Sequence, residues 1–360
     1  MSKKLQVGFV GCGGIANQKH FPSLSALPEL CELVAFCDII PERAEVAAKE
    51  FGTPQAKVYT DYKEMLKDGN IDVVHVLTPN RAHCEIVVDA LTAGKHVMSE
   101  KPMAVSTSDA QKMMDAWKKS GKKFTVGYQN RFRPEVWSLH EACKDGDLGD
   151  IYFGKAYAIR RKAVPTWGVF LDKEKQGGGP LIDIGTHSLD LTLWMMDNYE
   201  PVSVTGSTFY KMADQVDGNL WGPWDPKKYD VEDSAFGFIK MKNGATVILE
   251  SSWILNVQKS REASTSLCGT NAGADVYTTG DVYYYRSNHG ILTEEHNSEK
   301  GKPAYFGGKA SEEGTVEAEQ WLKCIINDTD PVVLPQQAFI VTKILEAIYE
   351  SARTGKEIVF

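Results

Sequence analysis

Hydrophobic and polar positions along the first 130 residues switch between two periods. Short apolar runs at 5–10, 33–37, 71–77, 95–98 and 123–126 predict strands. Helical patterns fall between them, over roughly 14–27, after Pro41 and around 106–119. Pro41 suits a first helical turn, where its missing N–H costs nothing. Strands separated by helices imply a parallel sheet with right-handed crossovers. After Arg133-Pro134 the texture changes. A helix is predicted over 134–144, a long strand over 151–160 and a helix over 181–196, with Leu181, Ile184, Ser188, Leu191 and Met195 on one side. From 201 to 285 the runs lengthen, alternate, and fill with β-branched and aromatic residues. Lys242-Asn243-Gly244 between two such runs predicts a hairpin. The polar, glycine-rich stretch 286–312 reads as a loop. Helices over 315–326 and 336–351 close the chain, the second with an apolar stripe of Ala338, Val341, Ile344, Leu345 and Ile348. The fold class is therefore α/β: a doubly wound parallel sheet over 1–130, then an α/β domain with a mostly antiparallel sheet over 131–360, with 334–360 expected to pack back on the first domain.

Length agrees with two domains, because a single core seldom grows past roughly 250–300 residues. The formal charge of −8 argues against a nucleic-acid surface. No apolar stretch approaches the ~20 residues of a membrane span. The apolar run near the N-terminus breaks at Gly11, so no signal peptide is expected. Cysteines are odd in number, seven, and form no C-x-x-C pair, which fits a reducing, cytoplasmic setting.

The candidate chemistry sits in three separated motifs. Gly11-Cys12-Gly13-Gly14-Ile15-Ala16 lies between a predicted strand and a helix. Gly11 permits a tight turn, Gly13 lets backbone approach a pyrophosphate, and Ala16 lets helix and strand pack closely. The helix N-terminus would hold the anion. Asp38 closes the next strand and can accept from both adenosine ribose hydroxyls, which favours NAD over NADP; Arg43 is the nearest arginine able to serve a 2′-phosphate. Lys101, in Glu100-Lys101-Pro102, lies past the carboxyl end of a parallel strand, where ligands bind. Its ammonium could stabilise an alkoxide, or it could be an ordinary surface lysine. Asp183 and His187 are four apart and share a helix face. Histidine suits the removal of a hydroxyl proton. The alternative makes Asp183 a helix cap and His187 a buried core side chain. The glycines at 177–179 would let backbone approach something closely. His75, His83, Cys84 and His187 lack zinc-ligand spacing, so no metal is expected. Arg131, Arg160 and Trp167 fall in an aromatic and basic cluster suited to a sugar, or to ordinary packing.

These motifs, in order, with Thr78-Pro79-Asn80-x-x-His83 and Gly179-x-x-x-Asp183-x-Gly185-x-His187-x-x-Asp190, resemble the Gfo/Idh/MocA oxidoreductases. The resemblance runs over nearly the whole chain. It implies a Rossmann domain, an open and mostly antiparallel second sheet, and a homo-oligomer, often a dimer or tetramer. It implies Lys101, Asp183 and His187 as catalytic residues. It places NAD against Gly11, Gly13, Gly14, Ile15, Ala16, Asp38, Thr78, Pro79, Asn80, His83, Glu100, Lys101 and Gln129. A sugar would meet Lys101, Arg131, Arg160, Trp167, Asp183 and His187. Within the family the chain is similar to enzymes that oxidise the C3 hydroxyl of pyranosides. An inositol or free-sugar dehydrogenase, an NAD-recycling glycosidase-like enzyme without net redox change, and a non-catalytic sensor of sugar or NAD are the alternatives.

Overall fold

The computed structural model describes residues 4–297 and 313–360. The chain forms two compact units, Met1–Gln129 with Lys309–Phe339, and Asn130–Gly308 with Ile340–Phe360.

The first unit begins with β1 (Leu5–Val10), a π-helical turn (Ala16–His20), α1 (Phe21–Ser25), β2 (Cys31–Cys37) and α2 (Pro41–Phe51). It continues through β3 (Lys57–Tyr59), α3 (Tyr62–Leu66), β4 (Val73–Val76), α4 (His83–Thr92), β5 (His96–Glu100), α5 (Thr107–Ser120) and β6 (Phe124–Gly127). The strands pair in parallel, in the order β3-β2-β1-β4-β5-β6. That is the doubly wound dinucleotide-binding order, whose switch point falls between β1 and β4. Pro41 stands at the start of α2, and Asp61 and Ser106 cap α3 and α5 with their side chains.

The second unit contributes α6 (Pro134–Lys144), β7 (Ile151–Ile159), α7 (Lys173–Gln176), a π-helical turn (Leu181–Gly185), α8 (Thr186–Met196), β8 (Pro201–Phe209), β9 (Ser234–Met241), β10 (Thr246–Ser252) and β11 (Arg261–Gly269). Next come β12 (Ala272–Val276), β13 (Val282–Asn288) and β14 (Ile291–Asn297). After α9 (Glu313–Ile326), which belongs to the first unit, and α10 (Pro335–Thr354), the chain ends in β15 (Ile358–Val359). The sheet order is β14-β13-β12-β11-β7-β10-β9-β8-β15. Only β7 and β10 pair in parallel; the other neighbours are antiparallel. The hairpin expected at Asn243-Gly244 joins β9 to β10, with Gly244 at φ +89°.

Three expectations need correction. The stretch 286–297 is not loop: it supplies the end of β13 and all of β14. Its side chains are polar and exposed, so no apolar alternation marks it. The remainder of that expected loop, 298–312, lies outside the described residues. The helix over 181–196 has no single apolar side, for every residue from Leu181 to Met195 is buried. It packs on β7 and β11, while Trp194 meets Trp137 of α6. Finally, the C-terminal segment divides differently. Residues Lys309–Phe339 group with the first unit, where Ala318, Trp321 and Leu322 of α9 complete its core. Residues Ile340–Phe360 group with the second, because β15 pairs with β8 and Tyr349 bonds to Glu232. Among the described residues no helix is long and apolar enough to cross a membrane.

Candidate functional site

In the first unit the glycine turn follows β1 directly. Gly11 adopts φ +98°, and a Cβ there would stand 2.7 Å from the Leu77 carbonyl oxygen at the end of β4. Only glycine fits this switch point. Above Gly13 and Gly14 the space is open, with no atom within 4 Å of where a Cβ would lie. Ile15 is partly exposed at the head of the helical turn, and Ala16 is buried against the core. Asp38 is almost fully buried just past β2. Its Oδ2 accepts from the Cys12 N–H at 2.8 Å and its Oδ1 from the Ile40 N–H at 2.9 Å. The carboxylate thus ties the end of β2 to the glycine turn and retains lone pairs for further donors.

Thr78 and Pro79 follow β4, and Asn80 begins a short 3-10 turn leading into α4. His83 is fully buried. Its Nδ1 meets the Pro102 carbonyl oxygen and its Nε2 the Thr78 carbonyl oxygen, each at 2.9 Å. Burial, the larger effect, lowers its pKa against the pull of those carbonyls. His83 therefore braces the Thr78 loop against the Lys101-Pro102 turn, whose peptide bond is cis. Glu100 is buried too, and its carboxylate faces Lys19 and His20. Lys101 is half-buried, and its backbone N–H donates to Glu100 Oε2 at 3.1 Å. Among the described residues the hydroxyl of Thr78 and the side-chain carbonyl of Gln129 are buried without a hydrogen-bond partner. Such atoms are rare in native structures, and a bound ligand or water is one way to satisfy them. An open glycine cradle, a carboxylate after β2 and two orphaned polar atoms fit a dinucleotide with a carboxamide.

In the second unit, Asp183 lies in the π-helical turn and His187 in the first turn of α8. Both are nearly buried. Asp183 does not cap the helix, which begins at Leu181; its Oδ2 accepts from the Trp253 indole N–H at 3.1 Å. The helix start is instead held by Glu232, whose Oε2 accepts from Gly179 N–H at 2.9 Å and whose Oε1 accepts from Leu181 N–H at 3.2 Å. Tyr349 donates to Oε1 at 2.8 Å. Burial raises the Glu232 pKa, and these hydrogen bonds oppose the rise. The neighbouring glycines serve this packing. A Cβ on Gly178 would fall 2.1 Å from the Tyr349 hydroxyl, and one on Gly179 would fall 2.2 Å from the Glu232 carbonyl oxygen. What approaches so closely is the protein itself.

Beside Asp183 stands an aromatic wall. Phe170 meets Trp253 edge-on, Trp167 meets both Phe170 and Trp221, and Trp167 is 51% exposed. Arg160 forks onto Glu262 with two contacts of 2.6 Å and lies over the Trp221 ring. Burial works against its charge, but Glu262 and, more weakly, Asp183 raise its pKa. The wall offers apolar ring faces next to charged acceptors, as a polyol with an apolar flank requires.

Comparisons with known proteins bear on the family. Residues 5–128 match the oxidoreductase family with an NAD-binding Rossmann fold, and 136–275 match the GFO/IDH/MocA C-terminal domain. The D-glucoside 3-dehydrogenase of Escherichia coli K12 is 36% identical over 99% of this chain and 98% of its own length. The chain belongs to the Gfo/Idh/MocA oxidoreductases. It is an enzyme family member with an NAD-binding Rossmann domain. An inositol 2-dehydrogenase of Salmonella typhimurium is 30% identical over 56% of this chain and 57% of its own length. Levoglucosan dehydrogenase, solved with NADH and levoglucosan, shares the fold with a TM-score of 0.85 over 99% of each chain, at 22% identity.

Within this Gfo/Idh/MocA fold the expected residues divide. Gly11, Gly13, Gly14, Ile15, Ala16, Asp38, Thr78, Pro79, Asn80, Lys101 and Gln129 gather at the carboxyl ends of the first unit's strands and the loops that follow them. Glu100 faces inward, so its side chain is a support rather than a cofactor contact. Arg131 is not a sugar ligand. It is wholly buried, forks onto Asp190 at 2.9 and 2.6 Å, and lies over the Trp194 ring. Trp253, Glu232 and Glu262 were not singled out from the sequence. Each meets its partner only through pairing of distant strands and loops. Among the described residues no group of three or more His, Cys, Asp or Glu is set to hold a metal.

Proposed function

We propose that the protein oxidises a secondary hydroxyl, at C3, of a pyranose sugar or glycoside, with NAD rather than NADP as acceptor. The observation that carries this reading is Asp183, fixed by Trp253 one helical turn before His187 and beside an aromatic wall. The full-length likeness to a D-glucoside 3-dehydrogenase supports the substrate. Bound NAD supplies the hydride acceptor. His187 takes the hydroxyl proton as the C–H electron pair leaves, so that a C=O bond replaces the C–H and O–H bonds. The Lys101 ammonium stabilises the forming alkoxide, and electrostatic help of this kind is often the largest catalytic contribution. Asp183 orients His187 or grips a neighbouring hydroxyl. Asp38 favours NAD because a carboxylate accepts from ribose hydroxyls and repels a 2′-phosphate. The enzyme works in the cytoplasm as a homo-oligomer, a dimer or tetramer. Deuterated methyl glucosides test the position of oxidation. Label at C3 should appear in the reduced nicotinamide, and label at C2 should stay in the sugar. Transfer from C2 would move the reading toward the inositol-type reaction of the Salmonella relative.

A further inference from the structure

We propose that Glu100 is a positioning residue for the Lys101 turn, held in place by Lys19, which is clamped between Glu100 and Glu317. The inference rests on the reading of Lys101 as catalytic. Lys19 and His20 lie on the π-helical turn that follows the glycine turn, Glu100 ends β5, His75 lies on β4 and Glu317 on α9. All are almost completely buried. Lys19 Nζ stands 2.5 Å from Glu100 Oε1 and 3.1 Å from Glu317 Oε2. His20 Nε2 meets the same Glu100 Oε1 at 2.8 Å, and its Nδ1 meets His75 Nδ1 at 3.1 Å. An ionised carboxylate only accepts, so His20 donates from Nε2 and, when neutral, accepts at Nδ1 from His75. That leaves Glu100 Oε2 for the Lys101 N–H, at 3.1 Å. Both oxygens of one carboxylate are therefore committed, one to the cofactor-binding helix and one to the backbone of the candidate catalytic lysine.

The charges agree with this geometry. Burial alone would raise the Glu100 pKa; Lys19 and then His20 hold it well below the usual carboxylate range. Burial and Lys19 push His20 down to about 4 against the pull of Glu100. Burial raises Glu317 to about 7, with Lys19 opposing. Near neutral pH one cation thus balances one full carboxylate, and Glu317 stands ready as a second. Lys19, His20, His75 and Glu317 thus gather, buried, about one carboxylate whose other oxygen holds a single backbone amide. Packing alone does not require that, since apolar groups would fill the same volume at lower cost.

Glu100→Gln tests the proposal, because Glu317 then becomes the sole counter-ion of Lys19 and the buried charge stays balanced. The variant should melt near the wild-type temperature and keep its KM for NAD, while kcat for a methyl glucoside falls about tenfold to a hundredfold, the scale of a small misplacement. The double variant Lys19→Met/Glu100→Gln removes the clamp without stranding a charge, because burial then keeps Glu317 protonated, and it should show the same split between kcat and KM. Lys101→Met is measured alongside. If either clamp variant folds and keeps wild-type kcat while Lys101→Met is inactive, the positioning role is overturned and the lysine's role stands. If Lys101→Met still turns over, the reading beneath the proposal fails instead. Loss of folded protein in both clamp variants would make the cluster a structural element and would likewise overturn the role.

Discussion

The indole N–H of Trp253 donates to Asp183 Oδ2 at 3.1 Å, joining the residue just past β10 to the π-helical turn that precedes His187. Trp253 is fully buried, so this bond is made away from water. Trp253→Phe keeps the ring and deletes the donor. The buried carboxylate then loses a partner, at a cost of about 1–3 kcal/mol in stability. We expect a lower urea midpoint and a reduced kcat with little change in the KM for NAD. Unchanged kcat would mean that Asp183 needs no such anchor.

His187→Ala should lower turnover by about 10²–10⁴-fold, the usual share of a positioned acid/base. NAD affinity, followed by fluorescence titration, should hold, because His187 is proposed to take a proton rather than to hold the cofactor. Retained turnover would remove His187 from the role.

Asp38 serves two donors of its own chain and is proposed to serve ribose hydroxyls as well. Asp38→Ala should raise the KM for NAD by about tenfold or more, as loss of a charged hydrogen bond implies. The preference for NAD over NADP should narrow at the same time. Steady-state kinetics with both cofactors would show it.

Glu317 gives a pH-dependent prediction with a definite sign. Its pKa in the folded protein, about 7, lies above the ordinary 4.5, so the folded state keeps a proton that the unfolded chain releases in between. Stability from this group is full below the unfolded value and is lost as pH rises through the folded one. Glutamine does not titrate. The melting temperature of Glu317→Gln should therefore gain on the wild type between about pH 5 and about pH 8. Parallel curves would show that Glu317 does not ionise in that window.

Arg131 now belongs to the core rather than to the sugar. Arg131→Met leaves Asp190 buried and unpaired, a change that typically costs about 3–5 kcal/mol. Thermal unfolding should register the loss, while the KM for sugar in the folded fraction stays near wild type. A large rise in that KM with normal stability would restore the substrate role.

These residues also show what could be read from the chain. The glycine turn, Asp38 and the hairpin at Asn243-Gly244 are local, and their chemistry is written in adjacent residues. The helix at 134–144 matches α6 because a proline opens it and its apolar spacing is regular. Strand β14 was missed because every one of its side chains is exposed. Arg131 was misassigned because nothing near it announces Asp190, 59 residues on. Trp253 meets Asp183, Glu232 meets Gly179 and Leu181, and Lys19 meets Glu100 and Glu317, each across a long stretch of sequence. Spacing predicts which side chains face one way along an element. It does not predict which distant partner will fix them.

The most direct measurement is NADH absorbance on mixing the purified protein and NAD with methyl glucosides, an aryl glucoside, glucose and myo-inositol, with the product identified. The account predicts NADH formation with the glucosides and a 3-keto sugar as product. NADH from myo-inositol alone, or binding of NAD and glucoside without any reduction, would contradict it.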